Sequence, residues 1–394
     1  MIYLDYASHT PPCQAALDAF IQAEKNATGN ANARHTAGLT ARQASARATR
    51  GICLLMGADT ADVLAVSGAG EGNHRAIMGL AQAYRHRGRH IVSTCYAHPS
   101  ENAALAALTE QGFEISHVRI DRDGVINLAH LNETLRNDTI LFCVSAVDSE
   151  LGVVQPLEEI ATIMRAFPHC HLHIDAAQAV GKVPLLSFDA LGAATMTFSA
   201  HKFYGVGGSG VLLRRKGIIL DGTYDGGTPA IGLLASCHAA LEEALREMPA
   251  RTAYVTRLHA TLADVLAQYP AVRFNSPGKI NATTHNAIAD NGDTSDANMP
   301  HITSSPFNPY ILNLSVDGVR GTAFRDALDR HGVCVSVKAA CATDHTPSRP
   351  VQAISDKKNA LSSWRISLSH LTTPQELDAF LHIFKTCYTE LTTS

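Results

Sequence analysis

Short apolar runs alternate with helix-forming segments through the first two hundred residues of this chain. The apolar runs predict buried strands at 63–66, 90–93, 114–118, 140–144 and 171–174, and helical segments lie between most of them. Strands that alternate with helices indicate a mostly parallel sheet covered on both faces. We therefore predict an α/β fold that binds its ligand at the carboxyl ends of the strands.

The length of 394 residues allows two domains. Because the alternating pattern changes after about Glu247, we expect a large domain over 15–246 and a smaller α+β domain formed by 1–14 and 247–394. A polar stretch at about 275–309 is rich in Asn, Thr, Ser and Asp, and it is predicted to be an exposed insertion in the small domain.

The charge and cysteine content narrow the function classes. A net charge of −4 gives no electrostatic reason to expect nucleic acid or a membrane surface as a partner. No apolar run has transmembrane length, and the nine cysteines contain no C-x-x-C pair, so we expect a cytoplasmic protein with free thiols. The twenty histidines include no H-E-x-x-H motif, and we predict no metal site.

Lys202 stands at the end of a predicted strand, 195–198, and is preceded by Ser199 and His201. A lysine at a strand end with a hydroxyl and an imidazole beside it suits an enzyme that holds a carbonyl cofactor as a Schiff base and binds its phosphate nearby. Taken alone, an ordinary surface lysine after a core strand is the alternative.

Three glycines that follow, Gly205, Gly207 and Gly210, match the dinucleotide fingerprint G-x-G-x-x-G. That fingerprint requires a helix after it, so that the helix N-terminus meets the pyrophosphate. Here a second strand follows at 211–213, so we predict a hairpin turn and reject nicotinamide binding.

Other polar residues lie at the ends of predicted strands. Residues 67–72, SGAGEG, form a small-residue turn that opens a helix, and free amides at such a start attract phosphate. His98, Asp175 and Gln178 also follow strands, which predicts that they meet Lys202 at one edge of the sheet.

With these residues in place, the chain resembles the cysteine desulfurases, pyridoxal-phosphate enzymes of the class V aminotransferase group. The matching segments run in order through nearly the whole chain: YLDYASHTPP, GNANARHTAG, VSGAGEGNHRAI, ELGVVQPL, HIDAAQAVGKVPL, FSAHKFYGVGGSGVLLRRK and SWRISLSHLTT. The resemblance implies a fold-type-I transferase with pyridoxal 5'-phosphate as cofactor. It also implies L-cysteine or a related amino acid as substrate, a homodimer and a sulfur-acceptor protein.

The resemblance assigns roles around the cofactor ring. Lys202 corresponds to the Schiff-base lysine, and Asp175 to the carboxylate that keeps the pyridine nitrogen protonated, which makes the ring an electron sink. Gln178 corresponds to the residue that touches the phenolic oxygen of the ring. His98 corresponds to the histidine that stacks on the ring face.

The phosphate and substrate ends are assigned in the same way. The resemblance places Ala69, Gly70, Ser199 and His201 at the phosphate, and Thr228 at the phosphate of a partner subunit.

At the substrate end, Arg365 corresponds to the arginine that binds the substrate carboxylate, a task that suits the guanidinium fork. The resemblance also places Ser149 near the cofactor and that carboxylate, and we expect Asn30 among the substrate-binding residues. Cys341 corresponds to the nucleophile that takes the sulfur as a persulfide.

The chain departs from the family pattern at four places, one of which is an unusual insertion around 278–307. Gly70 stands where threonine is usual, Ser149 stands where asparagine is usual, and the segment 217–228 is shorter than its counterpart. We predict a cysteine desulfurase. The alternatives are a lyase that cleaves C–S or C–Se bonds without a persulfide carrier, and a non-catalytic paralogue that acts as a binding subunit.

Overall fold

A computed structural model describes residues 1–95, 97–222, 230–276, 307–338 and 346–393 of the chain. Within these ranges the strands form a seven-stranded sheet, a three-stranded sheet and one two-stranded pair. The strands of the large sheet are, in spatial order, β2 (Ala61–Val66), β8 (Gly210–Arg215), β7 (Thr195–Ser199), β6 (His171–Asp175), β5 (Thr139–Ser145), β3 (His90–Thr94) and β4 (Glu114–Val118).

The large sheet is parallel except at β8, which runs antiparallel to both of its neighbours. A hairpin between β7 and β8 causes this reversal, because the short glycine-rich connection leaves no room for a crossover helix. The mostly parallel sheet and the hairpin turn are both as predicted.

Helices cover both faces of this sheet. Those of the first two hundred residues are α1 (Gln14–Asn26), α2 (Thr36–Leu55), α3 (Ala69–Tyr84), α4 (Pro99–Glu110), α5 (Leu128–Thr134), α6 (Leu157–Met164) and α7 (Phe188–Leu191). Side chains of β5 alternate between two apolar cores, with Phe142 and Val144 in one and Leu141 and Cys143 in the other. A strand buried on both faces reads as a continuous apolar run, which is why the sequence pattern revealed it.

The C-terminal part forms the smaller sheets. Strand β10 (Ile311–Val316) lies between β9 (Val272–Phe274) and β12 (Ser363–Ser367), and both pairings are antiparallel. Its helices are α9 (Gly321–Arg330), α10 (Arg349–Ile354), α11 (Lys357–Ser362) and α12 (Pro374–Thr392). The long helix α8 (Ile231–Leu266) belongs to both parts, because Leu241 lies in the core of the large sheet and Leu262 lies in the core of the C-terminal part. Thr373 and Glu376 cap α12 reciprocally. The aromatic rings of Phe324 and Trp364 stack in the core of this part.

The N-terminal segment, residues 2–10, connects the two parts. Strand β1 (Ile2–Tyr3) pairs in parallel with β11 (Val333–Cys334). Further along, the Leu4 carbonyl accepts a hydrogen bond of 2.7 Å from the Ser367 amide. The first residues of the chain are therefore held by two strands near its end. None of the helices in the described ranges has the length and apolar character needed to cross a membrane.

Candidate active site

Lys202 lies directly after β7, in a single 3-10 turn formed by Ala200–Lys202. Its Nζ donates hydrogen bonds of 2.7 Å to the carbonyl oxygens of both Ala7 and Ser8. The amine is thus oriented by the N-terminal segment, although that segment is almost two hundred residues away in sequence. A lysine held in this way is positioned for chemistry at the edge of the sheet.

The backbone after Lys202 is held in a sharp turn. Tyr204 has a positive φ of 67°, which costs a non-glycine residue roughly 1–2 kcal/mol. The Tyr204 amide donates to Thr10 Oγ1 at 2.8 Å, and its hydroxyl is 2.6 Å from Ser369 Oγ. Contacts with both ends of the chain therefore fix this turn and, with it, the direction of the Lys202 side chain.

Asp175 is the last residue of β6 and is buried. Its Oδ2 accepts a hydrogen bond of 2.7 Å from Asn73 Nδ2, and its Oδ1 accepts one of 2.8 Å from the Ala177 amide. Two donors hold the carboxylate in place, and each oxygen still has a lone pair for a further donor. Asp175 is therefore equipped to face a positively charged group.

A chain of buried polar side chains lies behind Asp175. Because Asn73 gives its NH2 to Asp175, its Oδ1 must accept, and it does so from Thr197 Oγ1 and from His173 Nε2 at 3.1 Å. His173 Nδ1 is 2.8 Å from Thr195 Oγ1, so this nitrogen accepts the hydroxyl proton. Burial lowers the pKa of His173 to about 4, which keeps the imidazole neutral and its tautomer fixed.

His98 occupies the N-cap position of α4, four positions after the end of β3 at Thr94. Its Nδ1 accepts from the Ser100 amide at 3.2 Å and lies 2.8 Å from Ser100 Oγ. Burial lowers the pKa of His98, the positive charge of Lys202 lowers it further, and Asp175 acts in the opposite direction. The net shift favours a neutral imidazole, whose flat face suits stacking on an aromatic ring.

The start of α3 lies against the end of β7. The Ala69 amide donates a hydrogen bond of 2.6 Å to Ser199 Oγ. Among the described residues, a Cβ at Gly70 would meet only Ser100 Cβ, at 3.7 Å, so these residues leave room beside the first turn of the helix. The amides of a helix N-terminus together with a serine hydroxyl form an anion-binding group.

His201 lies beside this group. Its ring stacks on that of His9, with 5.3 Å between the centroids. Burial lowers the pKa of His201 to about 4, and the positive charge of Lys202 lowers it further. Its neutral imidazole can donate a hydrogen bond to an anion.

Arg365 is fully buried on β12 and faces the site from the C-terminal part. Its Nη1 donates to the Ser149 carbonyl at 2.7 Å, and its Nη2 donates to Asp5 Oδ1 and Ser8 Oγ, each at 2.8 Å. The remaining nitrogen, Nε, is buried without a partner among the described residues. A buried guanidinium held by an acid, a hydroxyl and a carbonyl is pre-oriented for a carboxylate.

With this geometry established, known proteins can be compared with the chain. The family model described as aminotransferase class-V matches residues 2–380. The chain belongs to that family.

Curated relatives support the assignment over almost the full length. The cysteine desulfurase IscS of Glaesserella parasuis is 31% identical over 99% of this chain and 93% of its own length. The mitochondrial cysteine desulfurase of Drosophila melanogaster is 32% identical over 96% of this chain and 78% of its own length. A solved structure titled NIFS-like protein superposes with a TM-score of 0.85 over 100% of both chains at 24% identity, which confirms the fold.

This class-V aminotransferase is a cysteine desulfurase-like enzyme that depends on pyridoxal phosphate, as the resemblance predicts. The side chains and amides of the site also fit that cofactor by their chemistry. Lys202 supplies an amine, Asp175 a carboxylate for the ring nitrogen, and Ala69 with Ser199 an anion-binding group.

The structure brings together most of the predicted site residues: Lys202, Asp175, His98, Gln178, Ala69, Gly70, Ser199, His201, Ser149 and Arg365. Their individual roles remain predictions. Asn30 is exposed, and its hydrogen bonds in the described structure are to the amides of Asn32 and Ala33 in its own loop. Thr228 and Cys341 lie outside the described residues.

Sequence reasoning missed Asn73, which forms the link between Asp175 and the polar residues behind it. The residue lies within α3, four positions after the predicted phosphate contact at Ala69, and is fully buried. A buried amide on the core face of a helix requires hydrogen-bond partners, and that requirement is the signal that could have identified it.

Proposed function

We propose that this enzyme converts L-cysteine to L-alanine and takes the sulfur as a persulfide on Cys341. One observation carries the substrate class. Ser8 bonds Lys202 Nζ through its carbonyl oxygen and Arg365 Nη2 through its hydroxyl. Ser8 therefore connects the amine of Lys202, which handles an amino group, with the guanidinium of Arg365, which suits a carboxylate. This arrangement fits an α-amino acid as substrate.

The residues of the site divide the work of binding between them. Arg365 holds the substrate carboxylate, and its contacts with Asp5 and Ser149 prevent the guanidinium from turning away. Asp175 holds the proton of the ring nitrogen, and His98 covers one face of the ring. The bound cofactor supplies an electron sink that stabilises negative charge at the substrate carbon.

Lys202 moves protons between the substrate carbons. The carbonyl oxygens of Ala7 and Ser8 accept hydrogen bonds from the amine and so orient its lone pair. A positioned amine of this kind acts as a general base and then as a general acid.

The sulfur step consumes one thiol and one C–S bond. The Cys341 thiolate attacks the substrate sulfur, an S–S bond forms and the sulfur–Cβ bond breaks. The electron pair of the broken bond goes to Cβ, which takes up a proton to give alanine. The protein thiol is oxidised to a persulfide and the carbon is reduced, so no further oxidant is required.

The chain flanking Cys341 supports this role. On one side Lys338 Nζ donates to Thr346 Oγ1 at 3.0 Å, and on the other Ser348 Oγ donates to Glu150 Oε2 at 2.6 Å. Glu150 adjoins Ser149, whose carbonyl contacts Arg365. Both flanks are thus held near the proposed carboxylate site. We further propose a homodimer in which Thr228 reaches the phosphate of the partner, and an acceptor protein that takes the sulfur.

Replacing the cysteine tests the proposal directly. Cys341→Ala should still change its visible spectrum on addition of L-cysteine, but should form no persulfide and release alanine at under about 1% of the wild-type rate. Cys334→Ala, which removes a half-buried thiol from β11, is the matched control and should retain activity. Alanine and sulfide at the wild-type rate from Cys341→Ala would instead establish a lyase without a persulfide carrier.

A further inference from the structure

Two buried residues on the turns after β6 contact each other beside the site. Lys182 Nζ donates a hydrogen bond of 2.8 Å to Gln178 Oε1, and each residue is about 5% exposed. They are four positions apart on consecutive turns, so their side chains lie on the same side of this turn segment. None of the roles described above involves Lys182.

The surroundings fix which end of the Gln178 amide faces the site. The amide lies 2.8 Å from the carbonyl oxygen of Ala7, which can only accept a hydrogen bond, so the Nε2 group must face Ala7. The same carbonyl accepts from Lys202 Nζ. The Oε1 atom consequently faces Lys182, which supplies its donor. With the opposite orientation, Oε1 would face the Ala7 oxygen and two acceptors would repel each other.

Lys182 can perform this task without a buried charge. Burial lowers the pKa of its amine well below the usual range, and the positive charges of Lys202 and Arg365 lower it further. A neutral amine retains N–H groups that can donate to Gln178. It also avoids most of the free-energy cost of burying an ammonium group with a single hydrogen-bond partner.

We propose that Lys182 is a positioning residue that holds the Gln178 carboxamide with its NH2 group toward Ala7 and Lys202. This inference rests on the proposed function, because only a cofactor joined to Lys202 brings a phenolic oxygen to that NH2 group. Lys182 acts through Gln178 and touches neither cofactor nor substrate.

The test is a pH titration of the visible absorption band of the lysine-bound cofactor, without substrate. A donor at the phenolic oxygen favours its ionised form, so losing the donor should raise the titration midpoint by about half to one pH unit. Lys182→Met and Gln178→Ala should both show this rise. The double variant should match Gln178→Ala alone, because the effect of Lys182 passes through Gln178.

Two further variants separate positioning from other roles. Lys182→Gln keeps an N–H donor and should restore the wild-type midpoint, even if Lys182→Met folds poorly. Lys216→Met removes an exposed lysine that bonds the Asp59 carbonyl, and it should leave the midpoint unchanged.

Three results would overturn the inference. An unchanged midpoint in Lys182→Met would show that Gln178 needs no support. Additive shifts in the double variant would show that Lys182 acts by its own charge. A cofactor band that is absent from the wild-type protein would overturn the proposed function and this inference together, whereas a normal band with an unresponsive midpoint would overturn this inference alone.

Discussion

Two polar clusters contribute to the site, and they are built differently. The aspartate cluster (Asp175, Asn73, His173, Thr195 and Thr197) lies within the large sheet and the helix that covers it. The arginine cluster (Arg365, Asp5, Ser8 and Ser149) joins the N-terminal segment, the turn after β5 and strand β12. The first cluster depends on one sheet, whereas the second depends on three separate parts of the chain.

We expect the two clusters to have different tasks: the aspartate cluster controls the charge at the cofactor ring, and the arginine cluster binds the substrate. The aspartate cluster holds one carboxylate through an internal network that the sheet core keeps rigid. The arginine cluster holds a cation whose partners belong to segments that must first come together. Changes to the first should therefore alter catalytic rate or core stability, and changes to the second should alter substrate affinity.

Replacing the carboxylate of the aspartate cluster should have the largest effect. Asp175→Asn keeps the shape of the side chain but removes the negative charge opposite the ring nitrogen. We expect kcat to fall by about 100-fold or more, while circular dichroism shows an unchanged fold. Near-normal turnover would mean that another group protonates the ring nitrogen.

The arginine cluster should respond in KM instead. Arg365→Lys keeps a positive charge beside Asp5 but loses the guanidinium fork, so KM for L-cysteine should rise about 10- to 100-fold with kcat little changed. Arg273→Lys changes an exposed arginine of β9 that pairs with Asp317, and it serves as the control. A fall in kcat at constant KM would assign Arg365 to the chemical step.

Breaking the link inside the aspartate cluster should mainly affect stability. Asn73→Ala leaves His173 Nε2 without its acceptor and removes one donor from Asp175, which should lower the free energy of unfolding by about 1–3 kcal/mol. Denaturant unfolding of cofactor-free protein measures this change. Asn26→Ala in α1, where the exposed amide bonds Gln22 of the same helix, should cost far less. Equal costs would show that the network adds no stability.

A gain of function at the phosphate end should be the smallest effect. Gly70→Thr adds the hydroxyl that is usual in the family, and the open space beside Gly70 can accept a Cβ. We expect the Kd for pyridoxal phosphate to fall about threefold to tenfold. Gly70→Ala adds the Cβ alone and should leave the affinity near that of the wild type. An equal gain in both variants would credit the helix backbone rather than the hydroxyl.

These two clusters also mark how far sequence reasoning reached. Parallel strands bring their carboxyl ends to one edge, so the pattern of strand ends placed His98, Asp175 and Lys202 together. Asn73 was not predicted, because its role depends on the burial of its side chain within α3, and the sequence pattern does not show that burial. The pairing of Asp5 with Arg365 joins residues 360 positions apart, and no local signal reports such a contact.

The order of synthesis gives the N-terminal segment an unusual history. Leu4 is completely buried in the finished protein, but the strands that cover it contain Cys334 and Ser367. At a rate of roughly 5–20 residues per second, the ribosome needs tens of seconds to deliver those strands after Leu4 emerges. During that interval the turn that follows Lys202 lacks its contact between Tyr204 and Ser369, so Lys202 is not yet oriented toward the carbonyl oxygens of Ala7 and Ser8. The nascent enzyme therefore cannot fix the position of its reactive amine until translation is nearly complete.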